Sequence, residues 1–171
     1  SPSALFKSVD GGNNWINIEL PENCWDAIDV SMIDPSNIWI CDSKHIFTSN
    51  DGGQNWEIQF YDTSKTTFIN YIEMFDLNNG IAMGDYNYAD DPKGPAIFLK
   101  TTDGGVSWTS VSSSTFSSLE SVCFLDASTG WVVGSVGTIS NTTDGGSNWT
   151  TQNSGTSNTL NSVYFVDTNN G

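Results

Sequence analysis

Four times in this chain an aspartate is followed by two glycines and, five positions on, by a tryptophan. The copies are SVDGGNNW at 8 to 15, SNDGGQNW at 49 to 56, TTDGGVSW at 101 to 108 and TTDGGSNW at 142 to 149. Their aspartates, Asp10, Asp51, Asp103 and Asp144, stand 41, 52 and 41 residues apart. A second phrase runs out of phase with the first, at MIDPSN (Asp34), MFDLNNG (Asp76), FLDASTG (Asp126) and FVDTNNG (Asp167), 23 to 25 residues after each box. The chain is therefore a tandem array with a unit of about 41 residues and one insertion, a pattern that fixes architecture before any local reading does.

Within a unit the periodicity is that of strands. LESVCFLD alternates apolar with other residues, the turn ASTG follows, and then WVVGSV, TISNTT and NWTTQN are each bounded by turn residues. No stretch holds a helical period. Gly, Asn, Asp and Ser close tight turns and are weak helix formers, so the unit reads as a four-stranded antiparallel meander. Four strands in about 40 to 45 residues, repeated, predict an all-β fold: a β-propeller with one meander per blade. The register divides the chain into the end of one blade (1 to 18), full blades at 19 to 60, 61 to 111 and 112 to 153, and the start of another (154 to 171). It predicts an excerpt of a longer propeller whose open blade edges could self-associate.

Each box also has a chemical reading. A carboxylate opening a tight turn can accept backbone N–H groups one to three residues on, glycines supply the positive φ, and the preceding hydroxyl braces the loop. Trp15, Trp56, Trp108 and Trp149 then offer apolar faces to bury between blades. A calcium loop needs several oxygen ligands and more than one carboxylate, whereas each box brings one, so the boxes read as structural and no metal is expected. Cofactors are not expected either.

The full pattern from Phe124 to Trp149, F-x-D-x-x-x-G-W-x-V-G-x-x-G-x-I-x-x-T-x-D-G-G-x-x-W, resembles the Asp-box (BNR) repeat of the photosystem II assembly-factor-like propellers. Related boxes occur in sortilin-type receptors, sialidases and xyloglucanases. The resemblance implies the propeller fold over nearly the whole chain. It leaves function open, because the family spans enzymes, receptors and assembly factors.

Charge narrows that range. The 171 residues carry a formal charge of −15; all five basic residues are lysines, and there is no arginine. Nucleic acid and anionic membranes are therefore not expected partners. A sialidase would need arginines for its substrate's carboxylate. The resemblance implies a basic patch in the assembly factors, and this chain lacks one. A small, acidic, Ser/Thr/Asn-rich domain suits an extracytoplasmic setting, so a secreted, periplasmic or cell-surface protein of bacterial origin is expected. Any export signal would lie outside SPSALFKSVDGG, which has no apolar core. Cys24, Cys41 and Cys123 have no metal-ligand spacing and read as small apolar residues. Cys41 aligns with Gly84 and Gly134, a slot for a small side chain. His45, the single histidine, reads as a surface or turn residue.

In a meander the first-to-second and third-to-fourth turns share one face, so the boxes lie opposite the blade links and second-to-third turns, where propellers place ligands. The insertion falls on that second face as DYNYADDPKGPA (85 to 96), bringing Asp85, Tyr86, Tyr88, Asp90 and Asp91. The link ELPENCWDAID brings Glu22, Trp25, Asp26 and Asp29, with Tyr61, Asp62, Phe68 and Phe116 nearby. Trp25, Asp26, Asp85, Tyr86, Tyr88, Asp90 and Asp91 are the candidate ligand-binding residues: aromatics interleaved with carboxylates suit a sugar face or a cation. The leading expectation is a non-catalytic binding or protein-interaction module for a protein or carbohydrate. The alternatives are a xyloglucanase-like glycoside hydrolase, which needs two carboxylates about 5 to 9.5 Å apart, and a structural repeat of an extracellular fibre.

Overall fold

The computed structural model describes residues 3 to 63, 67 to 86, 97 to 111 and 118 to 171, and of Thr67, Asp85 and Tyr86 the backbone alone. Strands β1 (Leu5–Lys7) and β2 (Ile16–Ile18) form a two-stranded sheet. Three four-stranded antiparallel meanders follow. They are β3 to β6 (Asp29–Met32, Ile38–Cys41, His45–Ser49, Glu57–Tyr61), β7 to β10 (Thr67–Met74, Gly80–Tyr86, Ile97–Thr101, Thr109–Ser110) and β11 to β14 (Leu119–Phe124, Gly130–Gly134, Ile139–Thr142, Thr150–Gln152). Each sheet pairs only chain neighbours, as short turns require, so the all-β propeller architecture is that of the repeat. The last segment differs from the expected strand: only an Asp167–Asn170 bridge forms there. Its Val163 and Phe165 amides instead meet side chains of β11.

All four boxes are built alike, and their reach is one residue longer than expected. The carboxylate accepts the N–H of the fourth residue on, at 2.8 to 2.9 Å from Asn14, Asn55, Ser107 and Asn148. Its other oxygen takes the side chain of that same residue, at 2.6 to 2.7 Å. The hydroxyl two positions upstream donates to the carboxylate and accepts the N–H of the second glycine, as Thr101 does for Asp103 and Gly105 at 2.8 Å each. Both oxygens of each box carboxylate are thus engaged by protein donors. The second glycines sit at φ of +83 to +92, where a side chain is strained.

The box tryptophans reach back toward the preceding sheet. Trp56 packs on the Ile38–Ile40–Phe47 cluster that includes Leu5 and Leu20, and its indole N–H donates to the Glu19 carbonyl at 3.0 Å. Trp108 joins the core between the first two meanders, and Trp149 the core between the second and third, edge-on to Phe98 at 5.0 Å. Trp15 departs from the expectation: it is 63% exposed, because no sheet precedes its own in the described chain. Complete burial of a tryptophan face of ~200 Å² contributes about 5 kcal/mol, against ~1 kcal/mol for one hydrogen bond. The indoles therefore supply the larger share of the cohesion, and the carboxylates set the geometry that aims them.

Small-residue slots have a specific cause. Gly84 and Gly134 lie opposite β-bulges in β7 and β11, and a Cβ on either would strike the carbonyl of Phe68 or Ser118. Cys41 does not occupy this slot, contrary to the sequence alignment: it pairs with Asp29 as Met83 pairs with Tyr71 and Val133 with Ser121, so Asp42 stands where the other two sheets have glycine.

Gly105→Ala should destabilise by about 2 to 4 kcal/mol, since φ is +91 and the new Cβ would collide with the Gln59 amide. Gly11→Ala, with φ +73 but open space around it, should cost only about 1 kcal/mol. Urea denaturation of both variants checks the difference.

Candidate functional site

Hydrogen bonds identify the two faces. The first box glycine donates its N–H to the first-to-second turn of its own sheet, Gly52 to Ser36, Gly104 to Asn78 and Gly145 to Ser128, at 2.8 to 2.9 Å. The boxes and the Asp34, Asp76 and Asp126 turns therefore share one face. Neighbouring sheets clamp it further: Lys7 Nζ donates to the Pro35 and Gly52 carbonyls, Gln59 Nε2 to Gly104 and Lys100 Nζ to Asp144. Two of the five lysines are committed to this work.

A second set of bonds runs between the first strands of successive sheets. Asp29 Oδ2 accepts the Ile72 N–H at 3.0 Å and Ser31 Oγ the Met74 N–H at 2.9 Å. Ser121 and Cys123 serve Val163 and Phe165 in the same way. Tyr71 and Glu73 occupy the equivalent positions of β7 and bond each other at 2.5 Å. Glu73 is held above the usual carboxylate range, chiefly by burial, and the Tyr71 phenol is pushed up by burial and by that carboxylate.

On the opposite face, Trp25 stands 86% exposed on the link between β2 and β3, so it is not a core tryptophan. Asp26 beside it is exposed and accepts a hydrogen bond from the Ser3 hydroxyl. Asp29 is turned to architecture, because its other oxygen accepts the Val30 N–H. Asp85 and Tyr86 end β8 opposite Phe68 and Thr67, so the insertion begins by lengthening the β7–β8 hairpin. Their side chains lie outside the described residues, as do Tyr88, Asp90, Asp91 and Phe116. The structure therefore brings Trp25 and Asp26 together on the link.

His45 has partners that its isolation in the sequence did not suggest. It follows the turn after β4, where Asp42, only 3% exposed, accepts the N–H groups of Lys44 and His45 at 2.7 Å. Both Asp42 oxygens lie 3.0 Å from His45 Nδ1. The ring stacks on Tyr61, with centroids 4.7 Å apart and planes 9° apart, and tilts against Phe47. The legible signal was the D-S-K-H spacing, which places a carboxylate where it can cap the turn and reach the ring. The corresponding turn of the third meander, Ser135–Gly137, closes instead through Thr138 Oγ1 on the Ser135 carbonyl. Cys24 lies near enough to feel the Asp42 charge. Burial first, and that charge second, push its thiol up to about 11; burial pushes Cys41 up to about 12. Both stay protonated at neutral pH and are poor nucleophiles.

The family model of photosynthesis system II assembly factor YCF48 matches residues 13 to 117 and 107 to 170. A solved structure of YCF48 bound to a D1 peptide is 26% identical, with a TM-score of 0.58 over 73% of this chain and 38% of that one. An ancestral GH74 enzyme (23% identical, TM-score 0.61, 84% of this chain and 20% of that one) shares the fold. So does the GH74 enzyme of Niastella koreensis (17%, 0.61, 88% and 26%). The chain thus spans 38% of the YCF48 structure's length and a fifth to a quarter of the two enzymes'. No curated protein matches it. The match also corrects the expected setting. Its family is that of a photosystem assembly factor, so the secreted, periplasmic or cell-surface placement does not stand. The Ser, Thr and Asn content behind that expectation is spent inside the turns, where these side chains bond the aspartates.

The two groups of carboxylates have opposite linkage to pH. Side-chain and backbone donors hold the box and turn aspartates low, Asp51 to about 2 with Asn55 as the first cause. Their stabilisation is present above the unfolded value of about 4 and is lost as pH falls toward 2. Glu73 is raised, so its contribution is full below about 4.3 and is lost as pH rises through its folded value. Thermal denaturation from pH 2 to 8 should show Asp51→Asn flattening the acid limb. Glu73→Gln should raise the midpoint at pH 8 and leave it unchanged at pH 4.

Proposed function

The chain belongs to the photosynthesis system II assembly factor YCF48 family, and on that premise we propose that it is a protein-interaction module whose link face holds a polypeptide segment bearing positive charge. The observation that carries this reading is the likeness to a relative whose structure holds a peptide. The charge of this chain then selects the kind of segment. A basic patch would suit an acidic target, but a surface of net charge −15, with no arginine and two of its lysines spent on the box face, suits a cationic one. Trp25 is the natural anchor: a large, rigid aromatic, exposed beside Asp26, buries much area with little entropy to lose and offers its ring to a cation. The insertion carrying Asp85, Tyr86, Tyr88, Asp90 and Asp91 belongs to the same reading by its place in the sequence repeat.

The hydrolase alternative has less support. Asp29, one of the carboxylates it would use, already spends both oxygens on backbone amides, and the two GH74 likenesses are below 25% identity and speak for fold alone.

Two synthetic 12-residue peptides with the same apolar residues, one carrying four lysines and the other four glutamates, test the proposal by calorimetry. The lysine peptide should bind, weaken as salt rises from 50 to 300 mM, and lose about tenfold or more in affinity to Trp25→Ala. That variant should keep the wild-type melting temperature. Equal binding of both peptides, or of neither, would overturn the reading.

A further inference from the structure

We infer that His45 is a contact residue of this face, its Nε2 presented as a fixed hydrogen-bond acceptor for a cationic side chain of the partner peptide. The inference rests on the peptide-binding reading and gives it a specific atom. Nothing in the repeat requires the arrangement. The third meander closes the equivalent turn with a threonine hydroxyl and a backbone carbonyl, whereas here a buried carboxylate and an imidazole are used.

Four observations give the ring a defined orientation and tautomer. Asp42 is nearly inaccessible and is anchored by two backbone amides at 2.7 Å, so it cannot swing away. Both of its oxygens lie 3.0 Å from Nδ1, which assigns the Nδ1–H tautomer and makes Nε2 the acceptor nitrogen of the ring. Tyr61 on one side and Phe47 on another hold the ring plane. The His45 side chain remains 14% exposed, and Nε2 has no hydrogen-bond partner among the described residues. An acceptor that is aimed, fixed and unused is what a binding surface requires and a turn does not.

The surroundings select the donor. Tyr61 is exposed and lays its ring parallel to the imidazole, so a cation bound near His45 has an exposed aromatic ring beside it. Cys24, adjacent to Trp25, packs in the cluster of Phe47, and the His45 ring lies 5.2 Å from Phe47, so the two elements of the face share a neighbour. A lysine ammonium or arginine guanidinium satisfies the acceptor, the ring and the negative field together. A carboxylate satisfies none of them.

The chain has one histidine, which makes the test direct. Two-bond proton–nitrogen correlation on histidine-labelled protein at pH 8 should show Nδ1 protonated and Nε2 bare. Adding the lysine peptide should shift the Nε2 resonance, and the glutamate peptide should not. His45→Ala should weaken the lysine peptide about five- to tenfold. His45→Gln, whose amide oxygen can reach the Nε2 position, should recover part of that loss. Nε2-protonated or doubly protonated imidazole at pH 8 would overturn the inference. So would lysine-peptide binding that leaves the ring signals and the His45→Ala affinity unchanged; that last result would leave the peptide-binding reading standing. Absence of any lysine-peptide binding by calorimetry would overturn both.

Discussion

One carboxylate receiving an amide four residues ahead, with a hydroxyl two residues behind bridging to the second glycine, is the interaction on which the rest of the molecule depends. Repeated at Asp10, Asp51, Asp103 and Asp144, it forces two successive glycines into positive φ and turns the chain tightly enough to launch the tryptophan. The carboxylate-to-amide hydrogen bonds are solvent-exposed and individually modest. Their consequence is large because they fix where Trp56, Trp108 and Trp149 enter the preceding core.

Blade order is secured twice over, at different radii. On the box face Lys7, Gln59 and Lys100 each cross to a carbonyl of the next box. Along the first strands, Asp29, Ser31, Ser121 and Cys123 cap amides of the following unit about 42 residues on. Tyr71 and Glu73 depart from this pattern: the phenol and the carboxylate bond each other, and the acid is held raised, chiefly by burial. These clamps consume the polar groups of one face and of the junctions. On the reading proposed above, recognition falls to the face the repeat does not standardise.

The fold was legible because its determinants are periodic: a turn that needs Asp, Gly-Gly and Trp at fixed spacing announces itself each time, and strand pairing between chain neighbours follows. The faces were legible for the same reason, since turn order alternates in a meander. The Trp15 exposure was not, because burial depends on a neighbour rather than on the residue. Nor was the role of Asp29, which reads as a free carboxylate on the link and becomes a cap for Ile72 once β3 lies beside β7. His45 was missed because a lone histidine carries no pattern; its partner Asp42 was three residues away, and the spacing mattered more than the count. The composition misled as to setting, since residues that look like a solvated exterior are the internal donors of the turns.

On the proposed reading this chain separates what repeats from what recognises. The repeated groups hold the sheets, and the unrepeated ones, Trp25, Asp26 and the Asp42–His45–Tyr61 set, stand on the opposite face. Amide hydrogen exchange with and without a bound lysine-rich peptide tests that division most directly. The account predicts added protection in residues 19 to 29, 42 to 46 and 59 to 62, with the boxes at 49 to 56, 101 to 108 and 142 to 149 unchanged. Protection that appears in the boxes and spares the link would contradict it.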